Sequence, residues 1–165
     1  MMHRLRSLRS DQRGASIIEL ALVLPVFSAL VVGVVDISRA YSQKLLLEQA
    51  AYRAIEKVQQ YQSTKSTYNT LQDEVVAGAT ASGMTDVTTS SVNIDYWLEC
   101  NGVRQGNGTA GNGYDGSCSS GQASGRWITV DVTHTFWPMF ATHRFPGSNT
   151  NGSYTLHGRA ALRTQ

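Results

Sequence analysis

The sequence predicts an α+β protein in which one long N-terminal helix, apolar at first and amphipathic afterwards, packs on a small antiparallel sheet. Three observations carry that expectation. Residues 15 to 35 form an apolar run whose one charge is Glu19. Residues 36 to 62 space their apolar side chains at helical intervals. Beyond about residue 92 the period changes to two, as in half-buried strands.

At 165 residues the chain suits a single domain, and the apolar run withdraws part of it from any globular core. A net charge of +2 is too small to imply nucleic-acid binding. Arg4, Arg6, Arg9 and Arg13 precede the apolar run, and only Asp11 opposes them. By the positive-inside tendency the N-terminus stays in the cytoplasm and the rest crosses the membrane. The expected location is the cytoplasmic (inner) membrane, single-pass, with the C-terminal domain outside.

The apolar run matches the roughly 20 residues a helix needs to span the hydrocarbon core. Its flanks leave three readings: an ordinary signal-anchor, a cleaved secretory signal, and a leader removed at the cytoplasmic face by a prepilin peptidase. A secretory signal has an apolar core of about 7 to 15 residues followed by a small-x-small site. The best candidate here, Ser38-Arg39-Ala40, has Arg in the middle and Asp36 just upstream. The third reading explains more. The basic leader ends in Gly14, a sterically undemanding residue ahead of the Gly14-Ala15 bond, and Glu19 stands fifth in the segment beyond it.

An acid within an apolar helix costs on the order of a few kcal/mol at depth. Glu19 lies only about 6 Å along a helix from Ala15. The bland reading is that it snorkels to the interface; the functional one is that it pairs with the freed amino group of a neighbouring subunit. Pro25 removes one helix hydrogen bond and predicts a kink or a melted turn.

The stretch Arg13-Gly14-Ala15-Ser16-Ile17-Ile18-Glu19-Leu20-Ala21-Leu22-Val23-Leu24-Pro25-Val26-Phe27, continued by Gly33-Val34-Val35-Asp36-Ile37-Ser38-Arg39-Ala40-Tyr41, closely resembles the N-terminal motif of TadE-like proteins. These are minor pseudopilins of tight-adherence, or Flp-type, pilus systems. The resemblance covers about the first third of the chain. It implies a type IV pilin-like architecture, cleavage between Gly14 and Ala15, and Glu19 as the acidic residue of the mature N-terminus. It further implies a part in building, priming or capping a thin pilus. The implied partners are the prepilin peptidase, other pilin and pseudopilin subunits, the inner-membrane pilus assembly machinery and the membrane. No nucleic acid and no cofactor is expected from the charge and motifs.

The expected organisation is a leader over 1 to 14, a transmembrane assembly helix over 15 to 35, an amphipathic continuation over 36 to 62 and a small α+β domain over 63 to 165. In the continuation Ile37, Tyr41, Leu45, Tyr52, Ile55 and Val58 form an apolar stripe expected to face the sheet. Residues 63 to 67 are a polar break, and 68 to 79 suit a short helix around Leu71, Val75 and Val76. Val92, Ile94, Tyr96 and Leu98 alternate with polar residues and Trp97, as Ile128, Val130, Val132, His134 and Phe136 do with Asp131 and threonines. Residues 153 to 163 suit a closing strand.

The only two cysteines, Cys100 and Cys118, fall in the exported part, where such a pair normally forms a disulfide worth roughly 3 kcal/mol. Metal-binding or redox thiols would bring a CxxC spacing or nearby histidines, and neither is present. The Gly- and Asn-rich stretch over 101 to 117 reads as a surface loop. Asn107, Asn112 and Asp115 offer too few acids for a calcium site. His134, His143 and His157 match no ligand spacing, and Trp97, Trp127 and Trp137 read as sheet packing. No nucleophile elbow, phosphate loop or paired-acid constellation appears, so no enzyme is expected. The alternative is a signal-anchored exported domain that binds a ligand or catalyses a reaction.

Overall fold

The computed structural model describes residues 13–61, 68, 70–106, 113–139 and 146–164. Arg4, Arg6, Arg9 and Asp11 of the leader, the polar break over 63 to 67, Asn107, Asn112 and His143 lie outside the described residues. The chain divides into two compact units, Met1–Arg39 and Ala40–Gln165. Helix α1 (Arg13–Tyr61) contributes to both.

In the first unit the described side chains of α1 are apolar almost all round. Ile17, Leu22, Val23, Phe27 and Leu30 are all exposed, with no protein core against them. A helix apolar on every side is normally buried in a core or in a membrane. This one is long and apolar enough to cross a membrane, and none of its apolar window is buried by the protein. The helix runs without a break through Pro25, so the melted turn expected there is not seen. One turn later the Ser28 hydroxyl donates to the Leu24 carbonyl at 2.7 Å, which keeps that polar group satisfied inside an apolar run.

The second unit contains, besides the later part of α1, helix α2 (Leu71–Ala81) and four strands among the described residues: β1 (Val92–Cys100), β2 (Val103–Arg104), β3 (Ser124–Phe136) and β4 (Tyr154–Arg163). The sheet order is β2-β1-β3-β4, and every neighbouring pair is antiparallel. A short 3₁₀ turn, Thr89–Ser91, leads into β1. The architecture is α+β, as the periodicities predict. The alternation holds residue for residue in β3, where Ile128, Val130, Val132, His134 and Phe136 are buried and their neighbours are not.

The helical stripe does not follow the expected residues. Ile55 and Val58 face the core, but Ile37, Tyr41, Leu45 and Tyr52 are exposed. The buried face is instead Leu47, Ala50, Ala51, Ala54, Ile55 and Val58. The reason is close approach. A Cβ at Gly158 of β4 would lie 2.6 Å from the Leu47 carbonyl carbon and 2.8 Å from the Glu48 nitrogen. The α1 backbone thus rests almost directly on β4, and only small side chains fit beside that contact. A milder version joins the helices, since a Cβ at Gly78 of α2 would stand 3.3 Å from the Ala50 Cβ.

β1 and β2 form a hairpin that the reading of 101 to 117 as one surface loop does not include. Its two-residue turn is Asn101-Gly102, with φ of 48° and 80°. Paired positive φ values are what a type I′ turn requires, and Asn-Gly supplies them with little strain. The Asn101 side chain also accepts from the Ala123 backbone at 2.9 Å, which ties the turn to the start of β3.

On the sheet face away from the helices, Trp97 and Trp127 stack at 6.3 Å, and the Arg104 guanidinium lies 4.7 Å over the Trp97 ring. Arg104 donates two hydrogen bonds to Asp95, at 2.7 and 2.8 Å. These tryptophans are sheet packing, as expected. Trp137 is not: it lies just past the end of β3 and is exposed.

Candidate functional site

The residues singled out in the sequence fall into two groups. The first is on α1. The Gly14-Ala15 bond falls in the first turn of the helix, and Glu19 follows one turn on with its side chain exposed. Among the described residues Glu19 makes no ion pair, so a carboxylate stands unneutralised in an apolar surface. Such a group needs an interfacial position or a cation from elsewhere. Asp36, which closes the apolar run, is by contrast offset within its own helix, 3.5 Å from Arg39 one turn on.

The second group is in the globular unit. Cys100 and Cys118 form a disulfide with their Cα atoms 5.6 Å apart. The segment it closes is not merely surface loop. Tyr114 is buried, forms edge-to-face contacts with Tyr68 and Tyr96, and shares a 2.6 Å hydroxyl hydrogen bond with Tyr68. Arg126 of β3 holds this plug from outside, its Nε donating to the Tyr114 carbonyl at 3.0 Å and its Nη2 to the Gly116 carbonyl at 3.0 Å. A polar loop therefore supplies one aromatic side chain to the core, and the disulfide limits how far it can withdraw.

His134 and His157 occupy opposite faces of the sheet and do not converge. His157 lies 3.1 Å from Asp131, which also pairs with Arg159. His134 is buried, its Nδ1 donating to Asp86 at 2.5 Å and its Nε2 lying 3.2 Å from the Gln43 amide oxygen. An acid and a histidine in this arrangement suggest a catalytic relay, but the third position holds an amide rather than a hydroxyl or thiol. The cluster is a tie joining α1, the α2–β1 connection and the end of β3.

Asp86 completes the tie by accepting from the Thr135 N–H at 2.9 Å. Burial works to raise its pKa, but the Thr135 and His134 hydrogen bonds and the His134 charge together outweigh it and hold the carboxyl below its ordinary 3.8. A depressed folded-state pKa favours folding above the ordinary value, and that contribution disappears as pH falls through the folded value. Asp86→Asn is expected to cost on the order of 1 kcal/mol near neutral pH, a modest figure because the carboxylate is partly exposed. The difference from wild type should close as pH drops below the ordinary carboxylate range, which denaturant unfolding across that range would measure. A constant gap would mean that charge contributes nothing.

An open cleft of about 470 Å³ is lined by Tyr52, Asn93, Asp95, Thr129, Asp131 and Arg159. Its two acids are already engaged, Asp95 with Arg104 and Asp131 with Arg159. No group of three or more metal-ligating side chains occurs among the described residues.

The fold and these segments define a small α+β protein carrying one N-terminal helix long and apolar enough to serve as a single-pass membrane anchor. Residues 14–55 match the family model of TadE-like proteins, the family that the N-terminal motif resembles. The match suggests involvement in a tight-adherence pilus system. No curated protein and no solved structure matches the chain. The matched residues lie entirely on α1 and include Gly14, Ala15, Glu19 and Pro25.

Proposed function

We propose that the chain is a pseudopilin-type structural subunit for a tight-adherence pilus, anchored in the inner membrane and processed by a prepilin peptidase between Gly14 and Ala15. The observation that carries this reading is the family match over residues 14–55, because it begins at the residue ahead of the proposed cut. In this reading residues 1 to 14 are the leader and 15 to 35 the membrane and assembly helix. Residues 36 to 62 continue that helix outside the membrane, and 63 to 165 form the exported α+β domain. Cleavage removes most of the basic charge and leaves Ala15 with a free amino group about 6 Å along the helix from Glu19. Other pilin and pseudopilin subunits and the inner-membrane assembly machinery are its partners.

The test is the intact mass of membrane-extracted protein from cells with and without a prepilin peptidase, measured before and after reduction. Loss of residues 1 to 14 only where the peptidase is present is the expected result, with a gain of two hydrogens on reducing the Cys100–Cys118 bond. A chain uncut in both strains, or one beginning at Tyr41, would overturn the reading in favour of a signal-anchored or secreted domain.

A further inference from the structure

We infer that the open cleft on the sheet is a binding site for a neutral saccharide. The inference goes beyond the pilus reading and rests on the globular unit alone. The strand register builds the cleft. Trp97 and Trp127 stand in one cross-strand row, Thr129 and Ala161 in the next, and Asp131 and Arg159 in the one after. Alternation along the strands puts all three rows on the same face. Thr129 and Ala161 are far smaller than the residues on either side, so their row is a trough between the tryptophan stack and the Asp131–Arg159 pair. Tyr52 of α1, 54% exposed, lines the same space. The cleft's volume of about 470 Å³ falls within the roughly 300 to 1,000 Å³ usual for small-ligand sites.

The chemistry of the lining selects the ligand. Arg104 neutralises Asp95 and Arg159 neutralises Asp131, so the cleft has no unspent charge to offer an ion. Hydrogen-bonding capacity remains. A carboxylate accepts about four hydrogen bonds and a guanidinium donates about five, which leaves acceptors on both acids and donors on Arg159 after each pair is made. Asn93, also in the lining, adds an amide that is engaged with no other side chain among the described residues. An apolar ligand would strip water from these groups and leave them unpaired. Sugar hydroxyls are each donor and acceptor at once, and neighbouring hydroxyls match the paired atoms of an amide, a carboxylate or a guanidinium. Ala161, Thr129 and the Tyr52 ring supply apolar surface for the C–H face of a sugar ring.

The full chain, solubilised in the sugar-free detergent lauryldimethylamine oxide, would be titrated calorimetrically with chitotriose, maltotriose and cellotriose. Saturable binding of at least one, with a Kd of about 1 mM or tighter, is the expected result. Ala161→Phe fills the trough and should abolish that binding. Asn93→Ala should weaken it about tenfold, the worth of one or two hydrogen bonds. Thermal melting followed by circular dichroism verifies the fold of each variant, and Asn93 is exposed, so its truncation serves even where Ala161→Phe fails to fold. Co-sedimentation with the insoluble polymer of the bound sugar would assign the site to a glycan surface; binding of the trisaccharide alone would assign it to free oligosaccharide, and both support the inference. Binding of none of the three sugars overturns it, as does equal binding by wild type and the folded variants. Tighter binding of the anionic trigalacturonate than of every neutral sugar also overturns it, because the paired charges would then not be spent.

Discussion

Replacing Gly158 by valine is expected to unfold the globular unit under conditions where the wild-type protein is stable. The alanine substitution alone should remove on the order of 3 kcal/mol. Gly158 needs no positive φ, so room rather than backbone freedom fixes glycine there. A Cβ would meet the Leu47 carbonyl carbon and Cβ at 2.6 Å and the Glu48 nitrogen at 2.8 Å, below any ordinary contact. Two of those atoms are helix backbone and cannot rotate away, so α1 and β4 must separate. Separation opens the seam made by Ala50, Ala51 and Ala54, whose small side chains cannot fill a wider gap. Overpacking in a rigid core typically costs about 1 to 3 kcal/mol, and backbone against backbone belongs at or above the top of that range. Gly78→Ala is the comparison. Its nearest contact is a side-chain Cβ at 3.3 Å, and leaving glycine behind inside a helix returns up to about 1 kcal/mol. It should stay within about 1 kcal/mol of wild type. Denaturant unfolding of the detergent-solubilised chain, followed by circular dichroism, measures both. If Gly158→Ala unfolds at the wild-type denaturant concentration, the close approach is wrong.

The same seam explains what sequence periodicity could and could not reveal. The strands were legible because β-branched and aromatic residues alternate over nine or more positions in β1 and β3, and a period of two leaves one face to bury. Hydrophobicity points to a different α1 stripe because it ranks Tyr41, Leu45 and Tyr52 above alanine, whereas a helix lying on a glycine selects by size. A strand glycine such as Gly158 marks a site of close backbone approach, and the alanines at 50, 51 and 54 mark the helix face that fits it. Asn101-Gly102 was a readable hairpin signal, obscured by the Gly- and Asn-rich residues after it. Tyr114 was obscured in the same way, since average composition conceals a single core aromatic. The tie of His134 to Asp86 and Gln43 spans 48 and 91 residues, and no local pattern announces it. The N-terminal group was legible for the opposite reason. Gly14, Glu19 and the apolar run are local in sequence, and their proposed chemistry depends on order along the chain rather than on tertiary contacts.

Glu19→Ala is expected to abolish pilus assembly while leaving membrane insertion intact. The carboxylate sits in an otherwise apolar helix surface and has no ion-pair partner among the described residues. Removing it makes the segment more apolar, so insertion should improve by up to a few kcal/mol if the acid sits at depth. Assembly should nevertheless fall to background, because the amino group freed at Ala15 of a neighbouring subunit would lose the charge that neutralises it. The two proposals for Glu19 therefore part clearly. A snorkelling acid loses nothing important when it is removed, whereas a pairing acid loses the contact that draws one subunit against the next. Glu19→Gln sharpens the distinction, since it keeps size and hydrogen bonding but discards the charge, and it should fail as Glu19→Ala does. Carbonate-resistant membrane protein and pili released by shearing are the two quantities to compare. Normal pili from both variants would remove Glu19 from assembly. Loss of pili together with loss of membrane protein would instead assign it to insertion. Only the loss of pili with membrane protein retained fits a carboxylate whose partner is on another chain.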